Sequence, residues 1–417
     1  MDTKCNGAPR CLPLSPAAAA VIARLNAAGY EAYAVGGCVR DALMGRVPED
    51  WDITTAALPE QLEQVFGEDA VVPTGLAHGT VTVLFEGQAL EVTTYRIDGA
   101  YSDSRHPDSV HFTRSLTEDL RRRDFTINSM AYHPVYGLTD PFSGEAAILE
   151  RRITCVGDPH RRFAEDALRI LRALRFSAVL GFTIDAATAA AARQLAPAVR
   201  RISAERITGE LCKLLCGKHC GAVLRDYGDI LQPFLPLPEP QTASAAITTL
   251  PQELPLRLAA VLALSGHTDA DAWLHARRID HHTATATQEL LQGLSTPLPA
   301  NTAECKRLLG TLGLPAAQSL LLLYAAIYPQ QAVRAGGIRR ELSALAEAGA
   351  CCTLQQLAID GNDLLHIGCP AGRPVGLLLR QLLEAVITEN CPNTPPALLT
   401  LAQQWLADDK EKSFQQV

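Results

Sequence analysis

The sequence predicts an α+β head built on a mixed sheet, followed by an all-α remainder. Three observations carry this expectation. Strand-like alternation, as in His78-Gly-Thr-Val-Thr-Val-Leu-Phe85, is confined to the first 150 residues. Beyond residue 220 the chain is Leu/Ala-rich and helical in pattern, broken by Pro-rich stretches at Pro233–Pro240 and Ser295–Pro299. With 417 residues and 47% hydrophobic content, it is long and apolar enough for roughly two to four domains with large cores.

Charge and cysteine usage narrow the class. The formal net charge of −8 hides an asymmetry: residues 105–225 carry 19 Arg and Lys against 13 Asp and Glu. The other residues carry 18 against 32. A basic middle in an acidic protein suits a local phosphate-binding surface, although a salt-bridged helical face would give the same count. No apolar run reads as a bilayer span and no basic-then-hydrophobic leader opens the chain, so a cytoplasmic protein is expected. Twelve cysteines without small-domain spacing read as reduced thiols. Cys212, Cys216 and Cys220 beside His219 follow helical spacing rather than that of a zinc knuckle.

Taken in order, Ser15-Pro16 starts a first helix and Gly29 ends it. Ala32–Thr55, AYAVGGCVRDALMGRVPEDWDITT, then reads as a strand (Tyr30–Val35), a Gly-Gly turn, a helix (Val39–Met44) and a second strand (Trp51–Thr54). Residues two apart on a strand share a face, so Asp50 and Asp52 project together and call for a cation between them. Hard oxygen ligands of this kind suit Mg²⁺ completed by substrate phosphates. Gly36 and Gly37 let backbone amides approach a polyphosphate, and Arg40 reaches the same phosphates. Such a unit serves in-line attack of a hydroxyl on an α-phosphorus.

A helix over Pro59–Phe66 and a hairpin follow, with strands at His78–Phe85 and Leu90–Tyr95 turning at Glu86–Ala89. Glu91 is either a third carboxylate beside the aspartates or an exposed strand residue. Ile97–Phe112, containing Tyr101, Asp103, Arg105 and His106, reads as a long polar loop. A helix through Thr117–Arg123 leads into Arg122-Arg-Asp-Phe-Thr-Ile-Asn128. Three consecutive arginines cannot point one way, so at least one pairs internally, and Arg123 is expected to face the nucleotide. Asp124 either orients that arginine or contacts a ribose hydroxyl.

Phe163–Phe176, FAEDALRILRALRF, predicts one amphipathic helix ending near Gly181. Asp166, Arg169, Arg172 and Arg175 recur every third residue along it, and internal Asp–Arg pairs are its plain reading. Base chemistry supplies a sharper one. Cytosine and adenine each present an amine donor beside a ring-nitrogen acceptor, which an Asp and an Arg one turn on would match. Uracil and guanine present a carbonyl and a ring N–H there. Ser203–Glu210 reads as a supporting helix, with Glu205, Arg206 and Glu210 as braces. His281-His282 follows Asp280 in an order unsuited to a His-Asp phosphohydrolase.

The GG-x-VRD and DxD residues at 36–41 and 50–52, the RRDFTIN segment and the EDALR segment at 165–169 resemble the polymerase-β-type nucleotidyltransferases. They most closely resemble the class II CCA-adding enzymes. Two positions depart from that pattern: Ser129 stands where Ala is more usual, and Ala167 where Pro is common, which loosens the helix start. The resemblance is specific over residues 30–210. It implies a nucleotidyltransferase head (1–150), a helical neck reading the base (151–220), a body (221–300) and a tRNA-binding tail (301–417). It implies addition of C, C and A to tRNA 3′ ends from CTP and ATP. Asp50 and Asp52 would be the catalytic, Mg²⁺-holding pair. Gly37, Arg40, Arg123, Asp166, Arg169, Arg172 and Arg175 would bind the nucleotide, and the 97–112 loop would serve addition of the terminal A. A CC-only or A-only enzyme, or a bacterial poly(A) polymerase, would share the head. An inactive RNA-binding relative fits poorly with an intact aspartate pair.

Overall fold

The computed structural model describes residues 12–99, 109–237, 239–266 and 269–414. The chain divides into two compact units, residues 1–244 with 275–279, and 245–274 with 280–417.

The first unit opens with α1 (Pro16–Ala27), whose N-terminus is capped by the Ser15 hydroxyl accepting from the Ala18 N–H. Gly29, at φ 89°, turns the chain into β1 (Ala32–Val35). The strand starts two residues later than expected because the Tyr30 N–H still bonds back to the Leu25 carbonyl. Then come α2 (Gly37–Leu43), β2 (Asp52–Thr55) and α3 (Pro59–Phe66). β3 (Val71–Gly75), β4 (Thr80–Phe85) and β5 (Gln88–Thr94) form a meander. Glu86 and Gly87 both take positive φ at the β4–β5 turn, as a tight hairpin requires. β3 was not expected from the sequence: Pro73 demotes it as a strand, and a proline is tolerated there because β3 is the sheet edge.

The supposed polar loop is partly ordered ladder. Its ends form β6 (Arg96–Asp98) and β7 (Val110–Phe112), paired antiparallel. Tyr101, Asp103, Arg105 and His106 lie outside the described residues. α4 (Leu116–Arg121), β8 (Ala131–His133), β9 (Gly137–Thr139) and α5 (Gly144–Leu149) complete the head. Seven strands line up as β3-β4-β5-β2-β1-β8-β9, all antiparallel except β2 beside β5. Ile53, Val81 and Val92 point to the main core under α1 and α3. Tyr33, Val35, Tyr95, Leu120 and Ala131 form a second, smaller core. The register Asp52↔Glu91↔Thr82 runs across three strands, so these side chains share one face.

After a short strand β10 (Arg152–Ile153), α6 (Pro159–Glu165), α7 (Leu168–Leu180), α8 (Ala186–Leu195), α9 (Ala204–Leu215) and α10 (Cys220–Leu231) follow. The single helix expected over Phe163–Phe176 is two. Asp166 breaks it in an extended conformation (φ −142°, ψ 104°), and Gly181 in the left-handed region ends α7. Cys212 sits on α9, Cys216 caps it and Cys220 opens α10.

The second unit is helical. Asp280 caps the helix His281–Leu294 by accepting from the Thr283 N–H, which is what the His-His pair flanks. Thr302–Ile327 is long and apolar enough by length and composition to cross a bilayer, a test that a core helix also passes. It is broken at Gly313 (φ 73°, ψ 164°) next to Pro315. Its Cys305, Ala317, Leu321 and Tyr324 pack into a core with Ala335, Ile338 and Leu342 of Ala332–Glu347. A second cluster gathers Leu364, Leu382, Leu398 and Ala402.

Candidate active site

The site begins where β1 ends. Gly36 takes φ 82° and ψ −129°, a conformation that L side chains avoid. A Cβ there would stand 3.0 Å from Arg123 Nη1 and 4.0 Å from Asp52 Oδ2. The glycine therefore forms the floor between a cation and a carboxylate. Beside it Gly37 opens α2, with only Arg40 Nη2 near, at 3.7 Å from its Cβ position. Arg40 is buried. Its Nε and Nη2 donate to the two oxygens of Asp41, both at 2.9 Å, and Nη1 donates to Asn128 Oδ1 at 2.6 Å.

Asp52 is the first residue of β2, and Asp50 lies exposed in the bend before it, with the Trp51 side chain buried between. Burial pushes the Asp52 carboxyl above the usual range. Arg123 opposes that shift, while Glu91 and Asp50 add to it. Glu91 is exposed on β5 and Asp50 is exposed in the bend, so Asp52 alone of the three is partly buried; its carboxylate is the hard oxygen donor a divalent cation accepts. Among the described residues, no group of three or more His, Cys, Asp or Glu is arranged to hold a metal.

The three arginines do separate. Arg121 pairs with Glu118 on the surface. Arg122 donates through Nε and Nη2 to Asp119 Oδ1, at 3.0 and 2.8 Å. Arg123 touches Asp119 Oδ2 at 3.4 Å and continues into the site, where its buried Nε has no partner among the described residues. Asp119 is fully buried. Burial alone would raise its pKa, but Arg122 and Arg123 prevail and hold it below the usual carboxylate range. Thr54 Oγ1 and the Arg96 N–H also donate to it.

Asp124 does not orient Arg123, as one of the two expectations had it: it accepts from Arg172 Nε at 2.7 Å, and Arg123 pairs with Asp119. The Phe125 N–H and Asn128 Nδ2 donate to its other oxygen. Burial opposes ionisation, yet Arg172 outweighs it and holds the carboxyl at about 2. Further along α7, Arg175 Nε donates to Glu210 Oε2 at 2.5 Å, and Glu210 also lies 3.8 Å from Arg172. Arg169 donates to Glu165 Oε2 at 2.7 Å and to the carbonyls of Arg162 and Arg122. Glu210 and Arg206 act as the expected braces, whereas Glu205 pairs with Arg278. Asp166 accepts from the Leu168 N–H at 3.0 Å and from Arg206 at 2.8 Å.

One cavity of about 420 Å³ collects Gly36, Gly37, Arg40, Asp52, Arg123, Arg169, Arg172 and Arg175. Asp50 and Asp166 do not line it. Its wall also includes Arg122, Asp124, Asn128 and Phe176. Sequence reasoning gave Asn128 and Phe176 no role and left Asp119 out altogether. Asn128 closes the RRDFTIN segment and Phe176 ends the arginine row, so position alone could have marked them. Asp119 carries no such signal.

A mixed sheet with a glycine turn, an aspartate at a strand mouth and a facing wall of arginines defines a nucleotidyltransferase. Residues 32–154 match the Poly A polymerase head domain. Residues 181–241 match the family described as "Probable RNA and SrmB- binding site of polymerase A", and 258–402 match "tRNA nucleotidyltransferase domain 2 putative". A CCA-adding enzyme of Enterococcus faecalis is 36% identical over 93% of this chain and 95% of its own. The Bacillus stearothermophilus CCA-adding enzyme in complex with CTP superposes with a TM-score of 0.76 at 32% identity, covering 96% of this chain and 100% of that one. The Thermotoga maritima CCA-adding enzyme complexed with tRNA shares the fold at TM-score 0.66 and 20% identity, over 93% of this chain and 94% of that one. The chain belongs to the CCA-adding enzyme family, whose chemistry implies a divalent metal.

Proposed function

We propose that this chain adds C, C and A in turn to the 3′ end of tRNA, taking CTP and ATP and copying no nucleic-acid template. The observation that carries the reading is the single cavity in which Asp52 faces Arg40, Arg123, Arg169, Arg172 and Arg175. In the reaction the 3′-hydroxyl oxygen of tRNA bonds to the α-phosphorus, and the bond to the pyrophosphate oxygen breaks in line. Asp50 and Asp52 would hold Mg²⁺, which when bound would supply Lewis acidity at the attacking hydroxyl and charge neutralisation at the pyrophosphate. Gly37 lets backbone amides reach the triphosphate. Arg40 and Arg123 supply guanidinium donors to it, Arg123 Nε being a donor in need of an acceptor.

Asp166 and Arg169 read the base. Arg206 and the Leu168 N–H fix the Asp166 carboxylate, and each of its oxygens keeps a second lone pair for an exocyclic amine. Arg172 and Arg175 complete the nucleotide pocket. We assign catalysis to residues 1–150, base reading to 151–220, and the grip on tRNA to the body (221–300) and tail (301–417). Buried thiols such as Cys38 and Cys155 suit a reducing cytoplasm.

The test is to sequence the products of a tRNA lacking its last three nucleotides, incubated with CTP, ATP or both. CC ends with CTP alone and CCA ends with both are expected. Runs of A, or an arrest at one base with both present, would overturn the reading. The base-reading pair has its own test: Asp166→Ala should lower discrimination against UTP by about one to two powers of ten, a charge-assisted hydrogen bond being worth roughly 1.5–3 kcal/mol. An equal loss for all four triphosphates would make Asp166 only a brace.

A further inference from the structure

Phe176 is 5% exposed, yet it borders a cavity otherwise lined by charged and polar groups. Three guanidinium carbons lie over its ring: Arg175 at 4.0 Å from the centroid, Arg40 at 5.3 Å and Arg172 at 5.5 Å. Arg40 comes from α2 of the head, the other two from α7. The ring also packs edge-to-face on Phe125, at 5.8 Å and 84°. Each of these arginines also has a carboxylate partner: Asp41, Asp124 and Glu210 respectively for Arg40, Arg172 and Arg175.

The two kinds of partner do different work. A carboxylate neutralises a guanidinium but occupies its N–H donors. An aromatic face attracts the cation through the ring quadrupole and occupies no donor. Arginines held partly by a ring therefore keep N–H groups for a polyphosphate while their planes stay fixed. We infer that Phe176 is a positioning residue for the nucleotide: its ring sets the spacing between the arginine of α2 and those of α7. The inference rests on the reading of Arg40 as a triphosphate ligand and of Arg172 and Arg175 as part of the nucleotide pocket. Because that reading leaves the base to Asp166 and Arg169, the effect falls equally on CTP and ATP.

The experiment uses the full-length enzyme, with CTP on tRNA lacking CCA and ATP on tRNA ending in CC. Phe176 is replaced by mono-, di- and trifluorinated phenylalanines, which drain the ring quadrupole while nearly preserving its shape. KM for CTP and for ATP should climb together with each fluorine, reaching about tenfold at three, with kcat changing less than about twofold. Phe176→Leu should raise both KM values about tenfold, and Phe176→Tyr should return them to within about threefold of wild type. A flat KM across the fluorinated series would overturn the inference, leaving Phe176 as packing for Phe125. Arg172→Ala and Arg175→Ala are measured alongside. If they raise KM while fluorination does not, only the Phe176 inference fails; if they leave KM unchanged, the arginine reading itself fails.

Discussion

The carboxylate end of β2 and the arginine face of α7 border one site, and they settle their charges in opposite ways. On α7 each cation has an anion of the protein beside it: Glu165 for Arg169, Asp124 for Arg172, Glu210 for Arg175. At the start of the central strand β2, Asp52 has Glu91 in register, Asp50 two residues away, and Arg123 to offset them. One side is neutralised within the fold. The other is left short of positive charge, and burial raises Asp52 accordingly. The balanced side is built to stay put, and the unbalanced side to be completed by what binds. Stability and activity should therefore respond to mutation in opposite senses on the two sides.

Three substitutions sharpen or break that contrast. The largest effect should come from Asp52→Asn, which should cut both C and A addition by at least about a thousandfold, several kcal/mol of transition-state stabilisation being lost. Its stability at neutral pH should equal or exceed wild type. The sign follows from linkage: a carboxyl with a raised pKa binds its proton more tightly when folded, so its ionisation costs stability as pH rises. Asparagine has no such cost. A marked fall in Tm would place Asp52 among the structural ion pairs and dissolve the contrast.

Asp124→Asn should do the reverse, costing about 2 kcal/mol of folding stability at pH 7, with nucleotide binding weakened secondarily through Arg172. Here the folded pKa of about 2 lies below the ordinary 3.8, so the contribution is complete above the ordinary value. It should be lost as pH falls from 4 towards about 2. Denaturant melts of wild type and variant should converge over that window, and a constant gap would contradict the assignment. The smallest effect should come from Ala167→Pro. Ala167 has φ −64°, the angle proline imposes, and Asp166 before it is already extended. The gain should be about 0.5 kcal/mol, read as a slightly higher Tm with unchanged activity; a loss would mean that the α6–α7 break is strained.

The same comparison explains what the sequence disclosed. The Gly-Gly turn and the position of Asp52 were legible because each lies within a few residues and has its own steric or electrostatic reason; Asp50, expected on the same strand face, instead lies exposed in the bend before β2 and outside the cavity. The separation of Arg121, Arg122 and Arg123 was legible as a necessity, since neighbours on a helix diverge. Their partners were not all legible. Asp124 is adjacent to Arg123 in sequence, but it bonds Arg172, 48 residues on. Asp119 looks like any acid in a helical turn until Thr54 and Arg96 fold onto it. The α6–α7 break was hidden by one residue: a proline at 167 would have marked it, whereas alanine lets the helical period read straight through.

The parallel register of β2 with β5 also bears on how the enzyme comes into being. β3, β4 and β5 pair with sequence neighbours and can zip up locally, but Asp52 meets Glu91 only after the chain between them has looped back. Such non-local pairings form late, because loop-closure entropy is spent before any contact rewards it. β1 in turn stays without its second neighbour until Ala131 and Tyr132 have been synthesised. On a ribosome, therefore, a nascent chain that has just displayed its aspartates has no catalytic edge. Asp52 can meet Glu91 once β5 has emerged, whereas the arginines of α7 follow more than 70 residues later, so the acidic wall of the site forms before its basic one.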